Sequence, residues 1–119
     1  MSSKSLHPRH RLSSFGYAFR GLKTLVLQEP NAKIHFVASL AAIGFGLYRN
    51  ISRMDWIALA IVIAMVWIAE ALNTCVEMLC DLWCKEQFHP KVKIIKDIAA
   101  GAVLLAAICA VMTAGFIFL

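Results

Sequence analysis

The feature that most constrains this chain is its C-terminal end, where residues 98–119 carry no charged side chain. A run of 22 residues is long enough to cross the hydrocarbon core of a bilayer as a helix, which takes about 20 residues. A second uncharged run, residues 56–69, continues with helical patterning to Trp83. Trp56 and Trp83 would lie about 40 Å apart along one helix, close to the separation of the two aromatic belts of a membrane.

The composition supports a membrane protein. Hydrophobic residues make up 61% of the 119 residues and charged residues 16%, against about 45–50% and 25% in soluble domains. Because so short a chain leaves much of its surface exposed, this composition excludes a soluble enzyme, a secreted disulfide scaffold and a disordered chain. We predict an all-α integral membrane fold with one membrane domain over residues 12–119. Its predicted elements are an amphipathic surface helix at 12–28 and three transmembrane helices at about 31–49, 55–83 and 96–119.

The N-terminal part combines a basic segment with an amphipathic helix. Residues 1–11 are polar and basic, and we expect a cytoplasmic N-terminus without a cleaved signal peptide. Within residues 12–28, apolar side chains recur every three or four positions, and basic and polar ones fall largely on the other side. Such a helix is expected to lie in the headgroup plane with its apolar face toward the lipid.

The basic residues follow an alternating pattern along the chain. Ten of the twelve Lys and Arg residues lie before the first long apolar run or between the second and third runs, and only two lie between the first and second runs. By the positive-inside rule, the N-terminus is cytoplasmic and the C-terminus is outside. The net charge of +5 therefore reflects topology. We predict no nucleic-acid partner, because the basic residues do not share one exposed surface with stacking aromatics.

Small residues form stripes on two of the predicted spans. They recur at four-residue steps, at Ala38, Ala42 and Gly46, and at Ala102, Ala106, Ala110 and Ala114. Such stripes allow transmembrane helices to approach closely. Since three short helices can scarcely enclose a polar site alone, we expect a homo-oligomer.

Four polar residues share one face of the second predicted span: Glu70, Asn73, Glu77 and Asp81. Their spacing of three, four and four residues keeps them within roughly 80° of one another around a helix. An ionisable side chain that faces hydrocarbon costs several kcal/mol, so such a group normally faces the protein interior and has a function.

The predicted topology brings more polar residues to the same depth. Glu29 precedes the first span, and Lys96 and Asp97 precede the third. Carboxylates such as Glu29 and Glu77 suit Mg²⁺, which takes one or two protein carboxylates together with phosphate oxygens, and a lysine suits a phosphate chain. Glu70 lies deeper and suits a general base. These groups predict phosphoryl transfer to the hydroxyl of a membrane lipid.

The polar face and the start of the third span resemble a known family. Residues 70–77, E-A-L-N-T-C-V-E, resemble the E-x-x-N-[S/T]-x-x-E signature of the prokaryotic diacylglycerol kinase and undecaprenol kinase family. Residues 96–103, K-D-I-A-A-G-A-V, resemble its K-D-x-A-A-G-A-V segment. The family's H-P pair and two upstream segments are matched by residues 89–90, 19–22 and 29–31.

The resemblance implies a homotrimer in the bacterial inner (cytoplasmic) membrane, with active sites shared between neighbouring subunits at the cytoplasmic interface. It implies that Glu70 is the general base, that Asn73 positions Glu70 and the lipid substrate, and that Glu29 and Glu77 hold Mg²⁺ on the phosphates of ATP. It implies further ATP contacts from Tyr17, Asp81, Glu86, His89, Lys96 and Asp97. The family's N-terminal ATP-binding arginine corresponds to one of Arg9, His10 and Arg11, and the choice stays open.

Two questions stay open at the level of sequence. The acceptor is either undecaprenol or diacylglycerol, and Thr74 with the A-A-G-A-V run leans toward undecaprenol. The alternative function is a small proton-coupled transporter that uses Glu70. That alternative explains one intramembrane carboxyl, but it does not explain why Glu29, Glu77 and Lys96 gather at the cytoplasmic edge.

Overall fold

The structure, a computed structural model, describes residues 8–119, with side chains from Arg11 onward. This part of the chain forms four helices: α1 (Pro8–Gln28), α2 (Pro30–Arg49), α3 (Arg53–Cys84) and α4 (Pro90–Phe118). Residues 8–119 contain no strand, which confirms the all-α class. The first seven residues of the predicted basic segment lie outside the described residues.

Proline and capping residues explain the helix ends. Pro30 and Pro90 each stand at the start of a helix, where the missing N–H of proline costs nothing. The backbone just before each proline, at Glu29 and His89, is extended, as the proline ring requires. The fourth helix therefore begins at Pro90 rather than near residue 96. The first helix begins at Pro8, earlier than residue 12.

Two of the four helices are long and apolar enough to cross a membrane, namely α3 with 32 residues and α4 with 29. Both were predicted to span. The 20-residue α2 is not among them, because Lys33, His35 and Ser39 make its N-terminal half more polar. A membrane-spanning α2 therefore stays a prediction.

Helix α3 is the element against which the others pack. Helix α4 runs antiparallel along it, while α2 packs on it and α1 contacts both α2 and α3. The C-terminal end of α2 approaches the N-terminal end of α3 closely at Gly46, where an added Cβ would lie 2.9 Å from the Trp56 ring. Arg49 Nη1 donates to the carbonyl of Phe118 at 3.3 Å. The C-terminal ends of α2 and α4 therefore lie together.

The buried face of α3 changes character along its length. In the half nearer Trp56 it consists of Leu59, Val62 and Val66, and in the half nearer the loop to α4 it continues as Glu70, Asn73 and Thr74. The step of three to four residues keeps all six on one side of the helix. The buried polar residues of α3 therefore lie on the same side of the helix as its apolar packing face, and they begin where that face ends.

Candidate functional site

Glu70 is the most deeply enclosed charged side chain among the described residues. Its side chain is 1% exposed and lies between α3 and the neighbouring α2. His35 of α2 approaches it, with Nε2 at 3.4 Å from Glu70 Oε2. The stripe therefore turns inward, as an ionisable group in an apolar helix must if its burial is to be compensated.

Two turns of α3 surround Glu70 with other polar groups. Asn73 Nδ2 donates to Glu77 Oε1 at 3.2 Å. Glu70 Oε2, Asn73 Oδ1 and Thr74 Oγ1 are buried and have no hydrogen-bond partner among the described residues. A buried polar atom left unpaired costs about 1–3 kcal/mol, so three such atoms together are typical of a site that receives polar groups from outside the chain.

Glu29 joins this group from the connection between α1 and α2. It occupies the N-cap position of α2, but its side chain makes no capping hydrogen bond. The charges of Glu29 and Glu77 both act on Glu70. We call Glu29, His35, Glu70, Asn73 and Glu77 the inner cluster. Its three carboxylates repel one another, an arrangement that a cation would relieve.

A cavity of 550 Å³ opens between α1 and α3 beside the inner cluster. Its lining is mostly apolar, with Leu22 and Leu25 of α1 facing Ala71 and Met78 of α3. Polar atoms come from Thr24, Gln28, Glu29 and Thr74. An apolar cavity with a few polar groups is the form that sites for amphipathic ligands commonly take.

A second group of charges lies where α3 ends and α4 begins. Lys96 Nζ binds Asp81 Oδ1 at 2.6 Å across the two helices, and Lys93 Nζ binds Asp97 Oδ2 at 2.7 Å along α4. We call these four residues the rim cluster. The carboxylates of Asp81 and Asp97 are 66% and 64% exposed. Exposed ion pairs contribute only about 0–1 kcal/mol, so an incoming phosphate can displace one at small cost.

The loop between α3 and α4 carries two more predicted ATP contacts. Lys85 and Glu86 both have left-handed backbone, with φ of 48° and 69°, a conformation that is uncommon for residues other than glycine. His89 caps α4, since its Nδ1 accepts from the backbone N–H of Lys91 at 3.2 Å. Its ring also packs edge-on against Trp83 at 5.2 Å. His89 therefore has a structural role whether or not it contacts a nucleotide.

Tyr17 lies on α1 and leaves 65% of its surface exposed. The Arg20 guanidinium lies over its ring at 5.4 Å from the centroid, a cation–π contact that leaves the other ring face free. Of the three candidates for the N-terminal ATP contact, Arg11 is exposed. The side chains of Arg9 and His10 lie outside the described residues.

The structure thus brings seven of the predicted site residues together in the inner and rim clusters, which α3 connects, and it places Tyr17, Glu86 and His89 in neither cluster. Glu77 and Asp81 are four residues apart, about 6 Å along one helix. His35 belongs to the inner cluster but was not predicted as a site residue. An ionisable side chain in an otherwise apolar predicted span was the signal that could have identified it. Lys93 was also missed, since several lysines near it look equivalent in sequence.

Comparison with known proteins adds independent information. Residues 16–118 match the family described as prokaryotic diacylglycerol kinase. The chain is similar to a diacylglycerol kinase from Synechocystis sp., with 38% identity over 91% of this chain and 62% of that protein. It is 33% identical to the undecaprenol kinase of Bacillus subtilis over 89% of this chain and 85% of the relative. It is 28% identical to the diacylglycerol kinase of Escherichia coli K12 over 86% and 83% of the two chains. The alignment therefore spans less than two thirds of the Synechocystis protein.

Proposed function

Because the chain belongs to the prokaryotic diacylglycerol kinase family, which is a family of membrane lipid kinases, we propose that it transfers the γ-phosphate of ATP to the hydroxyl of undecaprenol or diacylglycerol. The products are undecaprenyl phosphate or phosphatidic acid. The observation that carries this proposal is the burial of Glu70 between α2 and α3, with two further carboxylates acting on it. A carboxylate in such a place suits the removal of a proton from an alcohol.

The proposed membrane arrangement has three spans and a surface helix. Helices α3 and α4 meet the length and hydropathy of a span, and the 20 residues of α2 extend about 30 Å, the thickness of the hydrocarbon core. On α1, Phe15 and Phe19 are 66% and 71% exposed, which suits burial in the lipid interface. The N-terminus is then cytoplasmic and the C-terminus is outside, in the bacterial inner membrane.

In the proposed reaction, Glu70 takes the proton of the lipid hydroxyl. The hydroxyl oxygen forms a bond to the γ-phosphorus, the bond from that phosphorus to the bridging oxygen breaks, and ADP leaves with the electron pair. Asn73 holds Glu77 with its amide N–H. Its free Oδ1 is available to the lipid hydroxyl. The cavity beside Thr74 accommodates the start of the lipid chain.

The inner cluster fits Mg²⁺ brought by the nucleotide. Among residues 8–119, no three His, Cys, Asp or Glu side chains converge as a complete metal site. The support for Mg²⁺ is the carboxylate pair itself: Glu29 and Glu77 both act on Glu70, and Mg²⁺ uses one or two protein carboxylates with phosphate oxygens and water. We assign Glu29 and Glu77 to this role. When bound, the ion supplies charge neutralisation on the phosphates.

The rim cluster supplies the proposed nucleotide site. Lys96 exchanges Asp81 for a phosphate oxygen, and Asp97 lies on the same turn of α4. Tyr17, Glu86 and His89 contact the nucleotide from α1 and from the loop before α4. The exposure of Asp81 and Asp97 supports a site that a soluble substrate reaches from the cytoplasm.

We also propose a homotrimer. Large apolar side chains along α4, such as Leu104, Leu105 and Val111, are 61%, 67% and 72% exposed in the single chain. A groove of 680 Å³ with small residues at Ala99 and Ala102 runs between α3 and α4, and close helix packing needs such residues. The inner and rim clusters of different subunits can then complete one site.

The experiment that tests the function is a direct phosphate transfer assay. The purified protein in detergent receives ATP labelled at the γ-phosphate, Mg²⁺ and either diacylglycerol or undecaprenol. Label should appear in at least one lipid extract, and the ratio between the lipids identifies the acceptor. The control is Glu70→Gln, which should transfer label at least about 10²-fold more slowly. Absence of label from both lipids with the native chain would reject the kinase and favour the proton-coupled transporter.

A further inference from the structure

We propose that His35 is a positioning residue for Glu70, an inference that rests on the proposed kinase reaction. His35 holds one carboxylate oxygen of Glu70, so that the other oxygen faces the lipid hydroxyl. The reactive carboxylate is therefore oriented by a different helix from the one that carries it. This role goes beyond the set of residues assigned above to the lipid, the metal and the nucleotide.

The first support is the contact itself. His35 Nε2 and Glu70 Oε2 are 3.4 Å apart, and the two side chains are 20% and 1% exposed. Glu70 Oε2 is buried and makes no hydrogen bond that satisfies it among the described residues, so the approach of His35 is the polar contact on that oxygen. The contact is longer than a well-formed N–H···O bond of about 2.9–3.0 Å. Catalytic hydrogen bonds are often long in a substrate-free site and tighten in the complex.

The second support is the charge around Glu70. The described groups whose charges act on it are Glu29, Glu77 and His35. Two of these are carboxylates that repel an ionised Glu70, and the imidazole alone can donate to it. The amide N–H of Asn73 already binds Glu77. His35 therefore offers Glu70 a donor from a second helix, opposite the two carboxylates that repel it.

The third support is a pair of hydrogen bonds beside this contact, one within α2 and one that joins α3 to α2. Ser39 Oγ donates to the carbonyl of His35 at 2.7 Å, and Trp67 Nε1 donates to Ser39 Oγ at 3.2 Å. The Trp67 ring also meets Phe36 edge-on at 6.5 Å. Because Trp67 precedes Glu70 by one helical turn, these contacts lock the register that brings His35 opposite Glu70.

The test compares His35→Leu with His35→Gln in the lipid kinase assay. His35→Leu removes the donor and keeps the bulk, and it should lower kcat by up to about 10²-fold, the cost of a misplaced reacting group. The KM for ATP should not change, because the rim cluster is untouched. His35→Gln keeps an N–H near the position of Nε2 and should restore most of kcat. Ile34→Leu, a change next to His35 at a side chain that is 64% exposed, is the matched control and should keep kcat.

A double-mutant cycle separates positioning from general packing. In the Glu70→Gln background, His35→Leu should cause no further loss of residual transfer, because the group that it positions is gone. Full additivity of the two losses would overturn the proposal, and so would native kcat in His35→Leu. If His35→Leu fails to fold, His35→Gln is compared with His35→Asn, whose amide is one methylene too short. Equal kcat in that pair would also overturn it. An inactive native chain would instead reject the proposed function.

Discussion

The inner cluster and the rim cluster lie on successive turns of α3 but are built in opposite ways. The inner cluster is enclosed, with Glu70 1% exposed, and it contains buried polar atoms that no described side chain satisfies. The rim cluster is open to solvent, and each of its carboxylates already has a lysine partner. The inner cluster is thus shielded from solvent and has polar atoms without partners, whereas the rim cluster is exposed and its carboxylates are paired.

This difference shows which helices position each part of the proposed site. The inner cluster depends on α1 and α2 packing against α3, because Glu29 and His35 come from those elements. The rim cluster depends on α3 and α4 alone. Chemistry and nucleotide capture should therefore respond separately to mutation, and the following changes test that separation.

The largest effect is expected from Glu70→Gln. Loss of the proposed proton acceptor should lower kcat by about 10²–10⁴-fold, the usual worth of general base catalysis, with nucleotide binding retained. Binding is measured by equilibrium titration with a fluorescent ATP analogue in detergent. Loss of nucleotide binding in this variant would indicate that Glu70 binds the metal. It would contradict the separation of the two clusters.

Glu77→Gln should weaken binding of the Mg²⁺-ATP complex. Removal of one carboxylate ligand should raise the KM for Mg²⁺ roughly 10–100-fold, by analogy with other losses of metal-site support, and excess Mg²⁺ should partly restore the rate. The assay is a Mg²⁺ titration at saturating lipid. The control is Asp55→Asn in the first turn of α3, which should leave the Mg²⁺ dependence unchanged. An unchanged dependence in Glu77→Gln would count against its role as ligand.

A smaller effect is expected at the rim. Lys96→Met should raise the KM for ATP by roughly 10–100-fold, because a charge-assisted hydrogen bond to a phosphate oxygen is lost, while kcat at saturating ATP changes little. Lys93→Met removes only an exposed ion pair within α4, which should lower the free energy of unfolding by about 0.3–0.5 kcal/mol. Its effect on the KM for ATP should be smaller than that of Lys96→Met. Equal effects of the two substitutions on KM would show that the rim acts only through its total charge.

The smallest effect on catalysis is expected from Gly46→Ala, which tests packing rather than chemistry. The added Cβ would lie 2.9 Å from the Trp56 ring, and overpacking of this kind costs about 1–3 kcal/mol. The expected result is a lower Tm in detergent with an unchanged KM for ATP. At Gly44 an added Cβ meets nothing within 4 Å, so Gly44→Ala should not lower Tm. A higher KM for ATP in Gly46→Ala would show that nucleotide binding at the rim cluster depends on the packing of α2, which would contradict the separation.

Sequence patterns predicted the helices and the polar stripe, but they did not predict which side chains contact each other across helices. The spacing of Glu70, Asn73 and Glu77 predicts a common face because helical geometry is local. The approach of His35 to Glu70 depends on how α2 sits on α3, which side-chain periodicity does not encode. The helix α4 begins at Pro90, six residues before the predicted span, for a different reason. A span estimate follows hydropathy, whereas the helix extends past the apolar run into polar sequence.

Helix α3 runs through 32 residues without a glycine or proline between Arg53 and Cys84, so it behaves as a rigid rod of about 48 Å. Glu70 and Asp81 are eleven residues apart, which holds them about 16 Å apart in height. The helix therefore fixes the height difference between these two side chains. Any alcohol that reacts must bring its oxygen to the height of Glu70, and its tail, of whatever length, extends from there into the bilayer.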